Sequence, residues 1–80
     1  MSKKPVIAEL ENLCEQLDIK VRYEKTSARG GLCRLDDKYY IIIDKKTNDD
    51  FRIDVLVREL KNFDLTDIFI SPRLRELLEI

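Results

Sequence analysis

The first part of the chain shows a helical and then a strand-like spacing of its apolar residues. In residues 5–17 an apolar residue recurs every three or four positions, the spacing of a helix with one buried face. Pro5 suits the first turn of that helix, where its missing N–H costs no hydrogen bond. In residues 19–25 apolar and polar residues alternate one by one, the period of a half-buried strand. The pattern therefore predicts a helix followed by a strand.

A loop interrupts this pattern, because residues 26–31 lack apolar periodicity and contain both glycines of the chain. A glycine serves where the backbone needs a positive φ or a close approach. Residues 32–35 and 39–44 then have the composition of two strands. They are joined at Asp36 and Asp37, a residue type that tolerates turn geometry. The chain therefore continues as a β-hairpin.

The second hairpin strand, Tyr-Tyr-Ile-Ile-Ile-Asp, is apolar at successive positions rather than at every second one. Such a strand is covered on both faces or lies between two other strands, since an open apolar edge promotes aggregation. Pairing with a second copy of the protein would also protect it. These three interpretations stay open at the level of sequence.

The longest uninterrupted helical pattern covers residues 51–63. One broad face of this helix should pack on the sheet or on the first helix, and its residues are Ile53, Leu56, Val57, Leu60 and Phe63. The opposite side contains Phe51 and Val55, interleaved with Arg58 and Asn62. Two apolar stripes on one helix indicate contacts on both of its sides.

The end of the chain is predicted to form a short helix over residues 73–80, introduced by Ser71 as its cap and Pro72 at its first position. For residues 64–70 a short strand and an irregular crossing remain alternatives. We predict an α+β fold in one domain. It comprises an N-terminal helix, a three-stranded, mainly antiparallel sheet, a central helix packed on that sheet and a short C-terminal helix.

Composition excludes several kinds of chemistry. The chain has 80 residues, of which 44% are hydrophobic and 39% are charged, a normal balance for a folded domain. It contains no histidine, so no imidazole can act as a base or a zinc ligand. Its two cysteines, Cys14 and Cys33, are too few for a disulfide framework and lack a metal-binding spacing. We therefore expect reduced thiols, no metal and no cofactor.

The charge balance and hydropathy of the chain limit the kinds of partner that we expect it to bind. The 15 basic and 16 acidic residues nearly cancel, so no overall attraction to nucleic acid or an anionic membrane is expected. Nucleic-acid binding would require the arginines to converge on one face; these are Arg22, Arg29, Arg34, Arg52, Arg58, Arg73 and Arg75. No apolar run is long enough to span a bilayer. We expect a cytoplasmic protein.

The order of the predicted elements and the sequence of residues 54–62 resemble the N-terminal core of ImmA/IrrE-type zinc metallopeptidases. In that family two histidines of an HExxH helix bind zinc, and the glutamate between them serves as general base. Here Arg58 and Asn62 stand at the histidine positions and Glu59 at the glutamate position. Arg58 stays protonated and repels a dication, while Asn62 offers only a neutral amide. The resemblance therefore implies a zincin-like fold without its metal site.

A second resemblance concerns residues 30–34, Gly-Gly-Leu-Cys-Arg, which are similar to a stretch found in short uncharacterised bacterial proteins. This similarity implies a bacterial source and no particular function.

The main functional hypothesis is a non-catalytic protein that binds a protein partner or a second copy of itself. Its candidate interaction cleft is the former metal face of the central helix, lined by Phe51, Val55, Arg58, Glu59 and Asn62. The unexplained second apolar stripe and the missing metal ligands motivate this hypothesis.

The alternative hypothesis is a small enzyme with Cys33 as nucleophile. Arg29, Arg34 and the backbone N–H groups of Gly30 and Gly31 would surround the thiolate and stabilise an anion. Without a histidine base, this mechanism needs a thiol with an unusually low pKa.

Overall fold

The computed structural model describes residues 3–25 and 30–80, and within them the predicted α+β class and the order of helices and strands are confirmed. The elements are α1 (Lys4–Gln16), β1 (Ile19–Glu24), β2 (Gly30–Leu35), β3 (Lys38–Asp44), α2 (Asp49–Leu60) and α3 (Pro72–Leu78). No helix in these two ranges combines the length and apolar character needed to cross a bilayer.

The sheet has the strand order β1-β3-β2, so the most apolar strand lies in the centre. Strands β2 and β3 form the predicted antiparallel hairpin, with Leu35 opposite Lys38. Strand β1 pairs with β3 in parallel, with Ile19 opposite Tyr39. The sheet is therefore mixed, with one antiparallel and one parallel pair, where mainly antiparallel pairing was predicted. The difference arises because β1 pairs with β3 rather than with β2.

Both glycines lie in β2 rather than in the predicted loop, and the φ of Gly31 is not positive. The left-handed positions are instead Asp18, Asp36 and Glu79, with φ angles of 60°, 57° and 61°. A short polar side chain tolerates this conformation at the turns before β1 and within the hairpin. The remainder of the predicted loop, residues 26–29, lies outside the described residues.

Helices α1 and α2 pack on one face of the sheet, and α3 packs on these two helices. Helix α1 contacts β1, helix α2 contacts β2, β3 and α1, and helix α3 contacts α1 and α2. This gives a thin two-layer fold, 16 Å across in its shortest dimension. Ile41 and Ile43 of β3 are completely buried under the helices, together with Leu10, Leu56 and Leu60. We call this side of the sheet the inner face.

Helix α2 begins at a capped end and stops earlier than predicted. Its N-cap is Asn48, whose side-chain oxygen accepts a hydrogen bond from the Phe51 N–H at 2.9 Å. After Leu60 the backbone tightens into a turn, because the Asn62 N–H donates to the Glu59 carbonyl rather than one residue further back. The predicted helix over residues 51–63 therefore ends at Leu60.

The predicted start of the C-terminal helix is confirmed. The Ser71 hydroxyl accepts a hydrogen bond from the Leu74 N–H at 3.4 Å, and Pro72 is the first residue of α3. Leu74 and Leu78 are buried in the core, whereas Leu77 is 38% exposed. Residues 64–70 form turns and irregular backbone, which decides between the two alternatives left open by the sequence.

Candidate functional site

The predicted cleft on α2 is not an open surface. Val55 is completely buried, and Phe51 is half-buried against the core. The hypothesis assigned both residues to a cleft for a partner, and for Val55 this is wrong. The expected contacts on both sides of α2 are made within the molecule. Helix α2 contacts β2 and β3 of the sheet and also α1 and α3, so its own molecule covers both apolar stripes.

The polar residues of the predicted cleft do not reproduce a metal-site geometry. Arg58 is exposed, and its Nε lies 3.3 Å from the carboxylate of Glu59, whose side chain is 15% exposed. Asn62 lies beyond the end of α2, so it does not share a helix face with Arg58 as the two histidines of HExxH must. Residues 3–25 and 30–80 contain no group of three His, Cys, Asp or Glu side chains placed to hold a metal.

The predicted thiol or anion site is also not assembled among the described residues. Cys33 and Arg34 are neighbours on β2, and successive side chains of a strand point to opposite faces. Arg34 lies on the inner side, with its guanidinium 5.8 Å from the centre of the Tyr39 ring and 3.9 Å from the Asp37 carboxylate. Cys33 lies on the other side, opposite Tyr40. Arg29 is outside the described residues, and both glycines belong to the strand.

The surface that the sequence did not identify is the side of the sheet away from the helices, which we call the outer face. Its residues are Lys20, Arg22 and Glu24 of β1, Lys38, Tyr40, Ile42 and Asp44 of β3, and Gly31, Cys33 and Leu35 of β2. Tyr40 and Ile42 are half-buried and do not contact the core cluster. Leu35 is 54% exposed. No element in the described part of the chain packs on this face.

The outer face has an apolar middle and a charged side, where Arg22 is paired with Glu24. The Arg22 guanidinium lies 5.9 Å from the centre of the Tyr40 ring and 3.2 Å from the Glu24 carboxylate. At the other edge of the outer face, on β2, a Cβ built on Gly31 would meet no atom within 4 Å, so the surface is open above this strand. The signal in the sequence was the run of successive apolar residues in β3. Locating the surface required the register of all three strands.

A polar cluster on the inner side ties the helices to β1. The Tyr23 hydroxyl donates a hydrogen bond to the Glu11 carboxylate, and the Arg52 guanidinium lies 4.6 Å from the centre of the Tyr23 ring. Arg52 also donates to the Lys45 carbonyl at 3.0 Å. Burial and the hydrogen bond to Glu11 raise the pKa of Tyr23 well above its ordinary value. Every group here has a partner, so the cluster stabilises the fold.

The two thiols differ in environment. Cys14 is completely buried, as a small residue of the core. Burial, followed by the nearby Glu11 carboxylate, raises the pKa of Cys14 to about 12. A thiol with this pKa stays protonated at neutral pH and is a poor nucleophile. Cys33 is half-buried and also free.

Comparisons with family models, with curated proteins and with solved structures found no match to this chain. The case for a function therefore rests on the residues and geometry of the chain itself. The resemblance to ImmA/IrrE-type metallopeptidases stays a hypothesis.

Proposed function

We propose that this protein acts without catalysis, through protein contacts made by the outer face, and that its partner is a second copy of the chain. The observation that carries this proposal is the unpaired edge of β2, beside which no described element covers the outer-facing side chains of Cys33 and Leu35. An unpaired strand edge of this kind is a surface on which a second chain can pair.

The free edge of β2 supports self-association. Among the described residues, no strand pairs with the second edge of β2. Antiparallel pairing of two β2 strands about a twofold axis at Cys33 would place Leu35 opposite Gly31 of the partner subunit. Leu35 projects into solvent, and the space above Gly31 is empty, so the two positions are complementary in shape. Such pairing joins two sheets into one and removes two edges.

The same proposal places the protein in a cytoplasm and treats its fold as zincin-like without a metal. The free state of Cys14 and Cys33 is compatible with a reducing compartment. The alternative enzyme using Cys33 is less well supported, because Arg34 lies on the other side of the sheet from the thiol.

Substitution of Leu35 by Lys tests the dimer directly. We expect the native protein to dimerise and Leu35→Lys to weaken dimerisation about tenfold, because each of the two symmetric Leu35–Gly31 pairs loses its apolar cross-strand contact. Sedimentation over a range of concentrations measures the dissociation constant. Leu77→Lys is the matched control, because it adds the same charge at an exposed leucine on α3. A native monomer at millimolar concentration, or an unchanged dimer in Leu35→Lys, would contradict the proposal.

A short thiol-specific cross-linker tests the geometry of the dimer. Two Cys33 thiols should lie close together across the twofold axis, so a bismaleimide with a two-carbon spacer should yield covalent dimers at low protein concentration. Cys14 is buried and should not compete. Cys33→Ser should abolish the product, and a native dimer that resists cross-linking would rule out the pairing of β2 edges.

A further inference from the structure

A cavity of about 640 Å³ lies where the end of α2, the irregular residues 61–70 and helix α3 meet. Its volume falls within the range of small-molecule binding sites. Most of its wall is apolar, contributed by Phe63, Leu65, Ile68, Ile70, Leu78 and Ile80. None of these residues belongs to the outer face, so the cavity is separate from the proposed dimer surface.

The wall of this cavity is held in place by the fold. Ile70 and Leu78 are 7% and 1% exposed, so both are anchored in the core. The Phe63 ring packs edge-on against Tyr39, with ring centres 5.3 Å apart and an angle of 88° between the planes. A ligand that enters the cavity therefore meets a largely preformed surface and loses little free energy in ordering it.

Four charged residues line the cavity, and three of them are already engaged. The Lys61 ammonium lies 3.4 Å from the Glu79 carboxylate, so these two charges offset each other. The Asp64 carboxylate accepts hydrogen bonds from the N–H and hydroxyl of Thr66, which lower the pKa of Asp64 and keep it negative. Among the described residues, the side chain of Arg75 has neither an ion-pair partner nor a hydrogen bond.

We propose that this cavity binds a small amphipathic carboxylate, such as a short-chain or medium-chain fatty acid. The guanidinium of Arg75 binds the carboxylate, for which its planar fork of donors is suited. The hydrocarbon chain lies against Phe63 and Ile68 and is removed from water. The negative charge of Asp64 opposes this binding, and its effect separates the proposal from simple hydrophobic partitioning.

Three ligands of equal chain length test the proposal: octanoate, octanol and octylamine. Each is titrated, below its micellar range, into the full chain labelled for amide NMR. We expect the octanoate shifts to concentrate in residues 61–80. Because Arg75 is exposed, its contribution should be modest, so octanoate should bind about three- to fivefold more tightly than octanol. Octylamine should bind most weakly of the three.

Two neighbouring arginines provide the matched variants. Arg75→Gln should abolish the preference for octanoate over octanol. Arg73→Gln should retain it, because Arg73 is bound to the Glu9 carboxylate at 2.8 Å and does not line this cavity. Asp64→Asn should strengthen octanoate binding by removing a repulsive charge.

Several results would overturn the proposal. They are the absence of octanoate shifts in residues 61–80 at millimolar concentration, equal or tighter binding of octanol or octylamine, and a preference for octanoate that survives in Arg75→Gln. None of these results depends on whether the protein forms a dimer.

Discussion

The inner and outer faces of β3 place chemically identical residues in opposite environments. Ile41 and Ile43 are completely buried under the helices, whereas Ile42, between them, is half-buried and makes no contact with the core cluster. The same contrast separates Cys14 from Cys33. Apolar character alone therefore does not identify a core residue, because the pleat of the strand turns one side toward the helices and the other side away from them.

The isoleucine pair should show the largest difference. Ile43→Ala removes a fully buried side chain and should lower the free energy of unfolding by about 2–5 kcal/mol, from lost burial and the cavity left behind. Ile42→Ala should cost less than about 1 kcal/mol in the monomer. Urea unfolding at low micromolar concentration, where dimerisation contributes least, measures both values.

A milder pair of substitutions allows the same comparison if Ile43→Ala fails to fold. Ile43→Val should still cost about 0.5–1.5 kcal/mol, while Ile42→Val should be close to neutral. Equal losses at the two positions would mean that the outer face is covered within the monomer, and the contrast between the faces would fail.

The cysteine pair should differ in how stability depends on pH. The pKa of Cys14 is raised from 9.0 to about 12 in the folded protein. Above pH 9 the unfolded chain releases this proton while the folded protein retains it, so rising pH favours unfolding. The free energy of unfolding should fall by at most about 1.4 kcal/mol per pH unit until the folded thiol also ionises.

The measurement for this pair is the slope of the free energy of unfolding against pH, taken between about pH 9 and 10.5. This slope does not depend on how much each substitution changes stability at neutral pH. Cys14→Ala should flatten the slope, and Cys33→Ala should leave it as in the native protein. Tyr23, whose pKa is also raised, adds to the loss at higher pH in all three proteins. Identical slopes in the two variants would show that Cys14 is not shielded from water.

The tyrosine pair should show the smallest difference. Tyr23→Phe removes the hydroxyl that donates to Glu11 and should cost about 1–2 kcal/mol, since a half-buried carboxylate loses its donor. Tyr40→Phe on the outer face should change stability by less than about 0.5 kcal/mol. Thermal or urea unfolding measures both changes. A neutral Tyr23→Phe would show that the hydrogen bond between Tyr23 and Glu11 does not stabilise the packing of α1 on β1.

Much of the fold follows from local patterns. The helical period of residues 5–17 predicts α1 to within one residue at each end, and Ser71 with Pro72 predicts the start of α3. These predictions succeed because spacing and capping are properties of adjacent residues.

The errors concern relations between distant residues. Alternation shows which side chains share a face of β1, but it does not show that β3 rather than β2 is its neighbour. Val55 was assigned to a cleft for a partner because a helical wheel does not show that α2 contacts two other helices as well as the sheet. The end of α2 was predicted too late because the apolar spacing continues into the turn at Phe63.

The candidate surfaces could be predicted only in part. The apolar run in β3 indicated an unusual strand, but the outer face combines residues from three strands whose register the sequence does not contain. The cavity beside Arg75 depends on irregular backbone between α2 and α3, which has no period to detect. The basic residues there look ordinary in sequence, since only tertiary contacts distinguish the paired Arg73 from Arg75.

The parallel pairing of β1 with β3 has a consequence for the order in which the chain assembles. The β2–β3 hairpin closes at Leu35 and Lys38, whereas β1 must bring Ile19 to Tyr39 across the whole hairpin. Loop-closure entropy therefore favours the hairpin forming first and β1 docking afterwards. Until that step, β3 presents one unpaired edge, so the N-terminal helix and strand act as the chain's own protection of its most aggregation-prone segment.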